Sequence, residues 1–241
     1  MSPASNHSGP PLVVFDFDHT LSDGDAGAHL FLWLIRRAWW RRLLALLIAP
    51  IALPMVAWLP TRRQGISAFV WAGTVGLHRR RDLDALIDRY VAANTDVLKQ
   101  RLLPIAINVL HQHRVAGDRV LIATGAPPEL ARAILSFVAH EDVPVIGTQV
   151  GPKFGGVGAI RHCHSQMKVR MIREAGYAEP IAIAYSDSTA DMPLLLAAQR
   201  PVVVNPKPGA VAVFRRVLGA DTPILNWGCK GRAGEPVTDG K

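Results

Sequence analysis

Apolar residues fall in two regimes along this chain. Before residue 24 and after residue 104 they come in short dense runs separated by amphipathic stretches, whereas residues 24–103 keep a helical rhythm with no strand-like run. Leu12-Val13-Val14-Phe15 opens the first run and predicts a strand over 12–17. Further strands are predicted over 120–123, 143–148, 181–185 and 202–204. Helices are predicted from Pro128-Glu129, where proline suits a first turn, and over 166–175 and 190–198. The glycines of 151–158 read as turns. This alternation predicts an α/β fold, a parallel sheet with helices on both faces. In the helical part Leu83, Leu86, Ile87 and Tyr90 mark the clearest amphipathic helix. The expected organisation is a loose leader over 1–11, a core of 12–23 and 104–226, a helical insertion over 24–103, and a polar, Gly-rich disordered tail over 227–241.

Composition sharpens the insertion. The chain is 49% hydrophobic and carries a net charge of +8, so anionic partners are expected. Nucleic acid and anionic lipid both satisfy that charge. Trp33, Trp39, Trp40, Trp58 and Trp71 crowd one apolar region and do not space along a basic face, which favours an anionic membrane surface; no nucleic acid is expected. Residues 43–61 are uncharged, with Arg36, Arg37, Arg41 and Arg42 before them and Arg62 and Arg63 after. That length approaches a bilayer span, and the cationic flanks place both ends on the cytoplasmic side. Pro50 and Pro54 are expected to break a straight helix. The preferred reading is a re-entrant or interfacial hairpin with Trp39, Trp40 and Trp58 at headgroup depth, and the alternative is the buried core of a soluble helical insertion. Cys163 and Cys229 are the only cysteines, so no disulfide framework is indicated. Met1 to Ser5 lack a cationic and apolar leader pattern, and no cleaved signal is expected.

Chemistry concentrates at the ends of predicted strands, where open α/β sheets place ligands. The first strand runs into Asp16-Phe17-Asp18-His19-Thr20. If the chain turns after Asp16, one carboxylate can attack phosphorus while the second moves protons, with a cation offsetting their repulsion. The second strand ends in Thr124-Gly125-Ala126, a hydroxyl beside free backbone N–H groups suited to phosphate oxygens. A later strand ends in Tyr185-Ser186-Asp187, and Asp187 with Asp191 completes an oxygen-rich Mg²⁺ site with Asp16. Lys168, at the start of a helix, can neutralise the nucleophile and the transferring group. Taken singly, Thr124 reads equally as a helix cap, Lys168 as a surface lysine, and Asp187 and Asp191 as cap and turn residues. Together, in this order, they point to phosphoryl transfer. His162-Cys163-His164 is a weak zinc pattern, better read as a packed or solvated segment.

With these residues in view the chain resembles the haloacid dehalogenase superfamily. Its DxDxT, Thr, Lys and DxxxD motifs match Asp16 to Thr20, Thr124, Lys168, and Asp187 to Asp191. The helical insertion resembles the cap of the phosphoserine-phosphatase-like branch, and the stretches Leu32 to Arg37, Ala123 to Pro127, Cys163 and Tyr185 to Leu195 are similar to the phosphatidylglycerophosphatase C family, over residues 13–206. The resemblance implies a Rossmann-like core with a helical cap after the first strand. It implies Asp16 as nucleophile, Asp18 as acid and base, and Thr124, Gly125 and Lys168 around the phosphoryl oxygens. It further implies Mg²⁺ held by Asp16, the Asp18 carbonyl and Asp187 with Asp191 in support, and Asp25 as a cap-side substrate contact, a residue that reads equally as an acid at a helix start. His19 departs from it, standing where glycine is usual. Asp16 precedes the apolar run and Asp187 follows it, yet both must reach one metal, so a single full crossing is excluded on this reading. The expected function is a Mg²⁺-dependent phosphatase acting on a phospholipid phosphomonoester, phosphatidylglycerol phosphate, at the cytoplasmic face of a bacterial-type inner membrane. Alternatives are a cytoplasmic phosphomonoesterase of the phosphoserine type and a non-catalytic lipid-binding protein.

Overall fold

The computed structural model describes residues 9–77 and 79–237, so most of the expected leader lies outside the described residues. Strand β1 (Leu12–Phe15) is wholly buried. Its side chains alternate faces: Val13 and Phe15 join one apolar core, Leu12 and Val14 the other. That is why the run is continuously apolar; a strand with both faces covered has no polar side to display. β2 (Arg119–Thr124) and β6 (Ile181–Ser186) pair with β1 in parallel on either side. β3 (Val145–Gly147), β7 (Ala198–Val204), β8 (Ile224–Asn226) and β9 (Glu235–Pro236) complete a seven-stranded sheet in the order β3-β2-β1-β6-β7-β8-β9, every pairing parallel. The expected α/β fold with a helical cap after the first strand is the one observed.

The insertion holds α1 (Ala26–Arg36), α2 (Trp39–Ala57), α3 (Arg62–Thr74), α4 (Arg80–Ala93) and α5 (Thr95–Arg101). Its two ends lie side by side: Asp23 N–H donates to Arg101 O at 2.7 Å and Leu103 N–H to Leu21 O at 3.0 Å. The predicted amphipathic helix is α4, which buries Leu83, Leu86, Ile87 and Tyr90 in the same core as Val13 and Phe15. The return to the sheet runs through α6 (Pro104–Val115) and, after β2, α7 (Pro128–Leu135). The second face is covered by α8 (Gln166–Glu174), α9 (Met192–Ala197) and α10 (Val211–Leu218), through Ile172, Leu194, Leu195 and Phe214.

Three expectations are corrected. Pro50 and Pro54 do not break α2, which runs through both to Ala57. α3 packs back along it as a hairpin, and Gly65 lets the two backbones close: a Cβ there would lie 2.7 Å from Ala52 O and 2.8 Å from Val56 Cγ2. Arg41 reaches across from α2 to cap the end of α3, donating to Gly73 O and, at 2.8 Å, to Val75 O. This tertiary support offsets the hydrogen bonds that the prolines remove. The glycine-rich stretch is not merely turns. It folds as an antiparallel hairpin of β4 (Gln149–Lys153) and β5 (Gly156–Arg161) through a two-residue loop with both φ positive, 49° at Phe154 and 70° at Gly155. The hairpin is fastened to the end of α3 by Trp71 Nε1–H to Phe154 O at 2.8 Å, Gly76 N–H to Gly155 O at 2.7 Å and the Thr74 hydroxyl to Val157 O at 2.7 Å. Finally, the segment expected to be disordered from 227 onward packs against the fold as far as residue 237, with most of its residues after Cys229 at the surface. Trp227 and Cys229 are buried, β9 extends the sheet, and Trp227 N–H donates to Asn205 Oδ1 at 2.6 Å.

Candidate active site

The site follows from the strand order. β2, β1 and β6 are neighbours, so the residues leaving their C-terminal ends, Thr124, Asp16 and Asp187, share one edge of the sheet. Asp16 carries the β1 ladder one residue further, its N–H donating to Tyr185 O at 2.9 Å. The chain then turns at once: the N–H groups of Thr20, Leu21 and Ser22 all reach Phe17 O, at 3.3, 2.9 and 3.1 Å. The turn takes Asp18 out of the strand's alternation. His19 sits in it at φ 57°.

Asp16 and Lys168 are buried, 6% and 3% exposed, and paired at 2.8 Å between Nζ and Oδ1. Lys168 also donates to Asp191 Oδ2 at 2.6 Å, and the Ser186 hydroxyl donates to the same oxygen at 2.8 Å. Burial works against the Lys168 charge, but Asp16 and Asp191 overcome it and hold the ammonium protonated. Asp16 itself is pushed well above the usual carboxylate range by burial, and the charges of Asp191, Asp187 and Asp18 add to this against Lys168. Asp18 is pushed up to about 7, first by burial and then by the negative charge of Asp25, with the Ala26 N–H at 2.7 Å from Oδ1 opposing the shift. Thr124 is wholly buried; its hydroxyl accepts from Ala126 N–H at 3.0 Å and lies 3.5 Å from Asp18 Oδ2. Gly125 is exposed at the mouth beside it, with open space where a Cβ would be.

Asp187 is raised to about 6, chiefly by burial, and is restrained by Arg232, whose Nη1 donates to Oδ2 at 3.0 Å. Arg232 lies in the segment expected to be disordered, and nothing local in the sequence marks it as a partner of Asp187. Ser186 escaped notice for a different reason: it looks like one polar residue in a polar turn until β6 aims it at Asp191. Asp25, expected as a substrate contact, is exposed and caps α1, accepting from Ala28 N–H at 2.7 Å; its charge acts on Asp18.

The donor set fits a hard divalent cation. Asp16, Asp18, Asp187 and Asp191 lie close enough to act on one another's charge, and burial penalises the ionised forms of Asp16, Asp18 and Asp187; Lys168 pairs with Asp16 and Asp191 and Arg232 with Asp187, while no three of the four bring ligand atoms within 4.8 Å of one another among the described residues. Asp191 is committed to Lys168 and Ser186, which leaves Asp16 and Asp187 as carboxylate ligands beside the Asp18 carbonyl that the family resemblance implies. That matches Mg²⁺, which is ordinarily held by one or two carboxylates and keeps several waters. His162 and His164 flank a Cys163 that is buried with Sγ toward Ile146 O at 3.8 Å, and the three do not form a metal-ligand cluster among the described residues.

Known proteins share this framework. A protein of unknown function from Bordetella pertussis Tohama I is 21% identical, covering 88% of this chain and 97% of its own, with a TM-score of 0.58. A phosphoserine phosphatase held as an analogue of its phospho-aspartyl intermediate is 14% identical, covering 94% and 95%, with a TM-score of 0.54. These likenesses are of fold. An inhibition of morphological differentiation protein of Streptomyces azureus is 28% identical over 137 residues, which are 55% of this chain and 48% of the relative, so the chain spans about half the length of that relative. Residues 13–196, from β1 through the last turn of α9, match the haloacid dehalogenase-like hydrolases; the site lies wholly within that span apart from Arg232, and the chain belongs to that family.

Proposed function

We propose that this protein is a phosphomonoester hydrolase that works through an aspartyl-phosphate on Asp16 and takes a phospholipid phosphomonoester, phosphatidylglycerol phosphate, at an anionic membrane surface. The observation that carries the chemistry is the placement of two buried carboxylates: Asp16 paired with Lys168 at 2.8 Å, and Asp18 beyond the turn, 3.5 Å from the Thr124 hydroxyl and raised to about 7. Asp16 attacks phosphorus, and Asp18 in its acid form gives a proton to the departing ester oxygen. Now a base, Asp18 then takes a proton from water, which hydrolyses the acyl phosphate and restores both groups. The Thr124 hydroxyl and the backbone N–H groups around Gly125 hold the equatorial oxygens, while Lys168 fixes Asp16 and offsets developing charge. Asp16, Asp187 and the Asp18 carbonyl would hold Mg²⁺, which would offset negative charge on the phosphoryl group.

The lipid reading is supported by α2. It is the one helix among the described residues long and apolar enough to cross a membrane, and only 11% of its most apolar stretch is buried. Trp39, Leu46, Leu47, Ile51, Leu53 and Trp58 stand exposed on it, and Arg36, Arg37 and Arg42 are exposed at its entrance. A helix that hid its apolar residues inside the chain would support the soluble alternative; this one presents them outward, as an interfacial hairpin requires. The phosphoserine-phosphatase fold neighbours favour the second reading, a soluble enzyme acting on a small phosphomonoester. Phosphate release decides: phosphatidylglycerol phosphate in mixed micelles and free phosphoserine are each assayed with Mg²⁺ and with chelator. Mg²⁺-dependent turnover of the lipid is expected. Brisk turnover of phosphoserine with none of the lipid would install the soluble reading, and turnover of neither would remove both.

A further inference from the structure

The second cysteine of the chain stands apart from the phosphoryl chemistry but not from the loop that carries it. Cys229 is 2% exposed, and its Sγ lies 3.4 Å from Asp23 Oδ1 and 3.8 Å from His19 O. A ring nitrogen of His19, a carboxylate oxygen of Asp23 and Cys229 Sγ all lie within 4.8 Å of one another, the one such trio of His, Cys, Asp or Glu among the described residues. His19 occupies the left-handed region at φ 57°, where His, Asn and Asp are enriched among residues other than glycine. The Gly24 N–H that approaches Nδ1 does so at a long 3.3 Å, a weak contact for a metal to displace.

We propose that His19, Asp23 and Cys229 form a second metal site, for a borderline divalent ion of the zinc class, which clasps the C-terminal segment to the catalytic loop. A thiolate, an imidazole and a carboxylate make a mixed S, N, O set that suits Zn²⁺ or Co²⁺ and is poor for Mg²⁺, so the site is chemically distinct from the all-oxygen centre at Asp16 and Asp187. Bonds of about 2.0–2.3 Å in tetrahedral geometry bring ligand atoms to roughly 3.3–3.8 Å of one another, so a 4.8 Å spread closes by small side-chain rotations. On binding, a metal–sulfur bond forms, the S–H bond breaks, and the thiol proton leaves to solvent. The fourth position falls to water.

The surrounding contacts give the clasp a consequence. Asn205 joins the same two segments, donating to His19 O at 2.8 Å and accepting from Trp227 N–H at 2.6 Å. Three residues beyond Cys229, Arg232 reaches Asp187 at 3.0 Å. Metal at the clasp therefore holds Arg232 against an acid of the catalytic centre.

The test is a Co²⁺ titration of the purified full chain, stripped with chelator and kept in excess Mg²⁺ so that the oxygen site is filled. The expected result is one equivalent bound, with a thiolate-to-cobalt charge-transfer band in the near ultraviolet that Zn²⁺ abolishes by displacement. The band is lost in Cys229→Ser, is retained in Cys163→Ser, and appears at about 100-fold higher Co²⁺ in His19→Ala, first-sphere loss costing at least what outer-sphere loss does. Should Cys229→Ser unfold by circular dichroism, Asp23→Asn carries the comparison. Absence of a thiolate band in the wild type, or its loss with Cys163→Ser alone, overturns the proposal. None of these readouts depends on catalysis, so failure here leaves the phosphatase reading untouched, and the reverse holds too.

Discussion

Two aspartates two residues apart have different surroundings, and the proposed mechanism gives them different tasks on that ground. Asp16 lies in the ladder of the sheet and is gripped by Lys168; Asp18 lies past the turn, faces Thr124 and Asp25, and has a pKa near 7. Replacing Asp16 by Asn removes the nucleophile, and phosphate release is expected to fall by at least ~10³-fold with the fold intact by circular dichroism. Asp18→Asn is expected to cost about 10²–10⁴-fold on an alkyl phosphate ester. It should cost far less with a nitrophenyl leaving group, which departs without a proton; equal losses on both esters would remove the acid role. The sign of the pH dependence follows from the raised pKa. Asp18 is protonated below about 7, so the leaving-group step should proceed there and decline as pH rises through that value. A first-step rate that instead climbs across pH 7 would assign the proton to another group. The identities of these residues were legible in the sequence because motif spacing and strand ends are local. Ser186, Arg232 and the pairing of Cys229 with Asp23 were not, since each depends on chain brought from 5, 45 and 206 residues away.

Among the elements, α2 illustrates how the same apolar pattern supports two architectures. Nineteen residues, uncharged after Arg42, make a buried core helix or an exposed docking helix equally well. What separates them is what packs on the helix, and here α3 covers one side while Leu46, Leu47 and Ile51 remain 68–72% exposed. Leu47→Glu with Ile51→Glu should abolish sedimentation with vesicles of anionic phospholipid. Because both side chains leave from solvent, thermal stability should change by less than ~0.5 kcal/mol per site. Undiminished vesicle binding in this double variant would take the docking role from α2. The β4–β5 hairpin teaches the complementary lesson. In sequence Gly151, Gly155, Gly156 and Gly158 read as turns, because no helix of phosphate-loop type follows them. The strands exist because Trp71, Thr74 and Gly76 of the insertion hold them.

For the whole molecule, the site is an electrostatic liability that the fold carries and that the proposed cation would offset. Asp18 near 7, Asp187 near 6 and Asp16 well above 3.8 all keep protons that the unfolded chain has already released. Between about pH 4 and 7 these three carboxylates therefore bind more protons in the folded state, and their contribution to stability falls as pH rises, against a contribution of opposite sign from His19, His29 and His140, whose pKa burial lowers. In chelator the melting temperature should drop from pH 5 to pH 7.5, and Mg²⁺, binding the folded state alone, should recover it at the higher pH. A melting temperature that rises over this interval in chelator, or that ignores Mg²⁺, would show that the carboxylates are not the stored cost.

The sequence by itself determined the alternation of buried strands and helices, the helical insertion after the first strand, and the four short stretches that carry the phosphoryl chemistry. It could do so because hydrophobic period and motif spacing are properties of neighbouring residues. The tertiary structure alone decided that α2 faces outward and runs through its prolines, that the glycine-rich stretch pairs as strands, and that the polar tail returns to bring Arg232 to Asp187 and Cys229 to Asp23. Those outcomes rest on contacts between distant segments, where packing and burial override what each segment would favour alone.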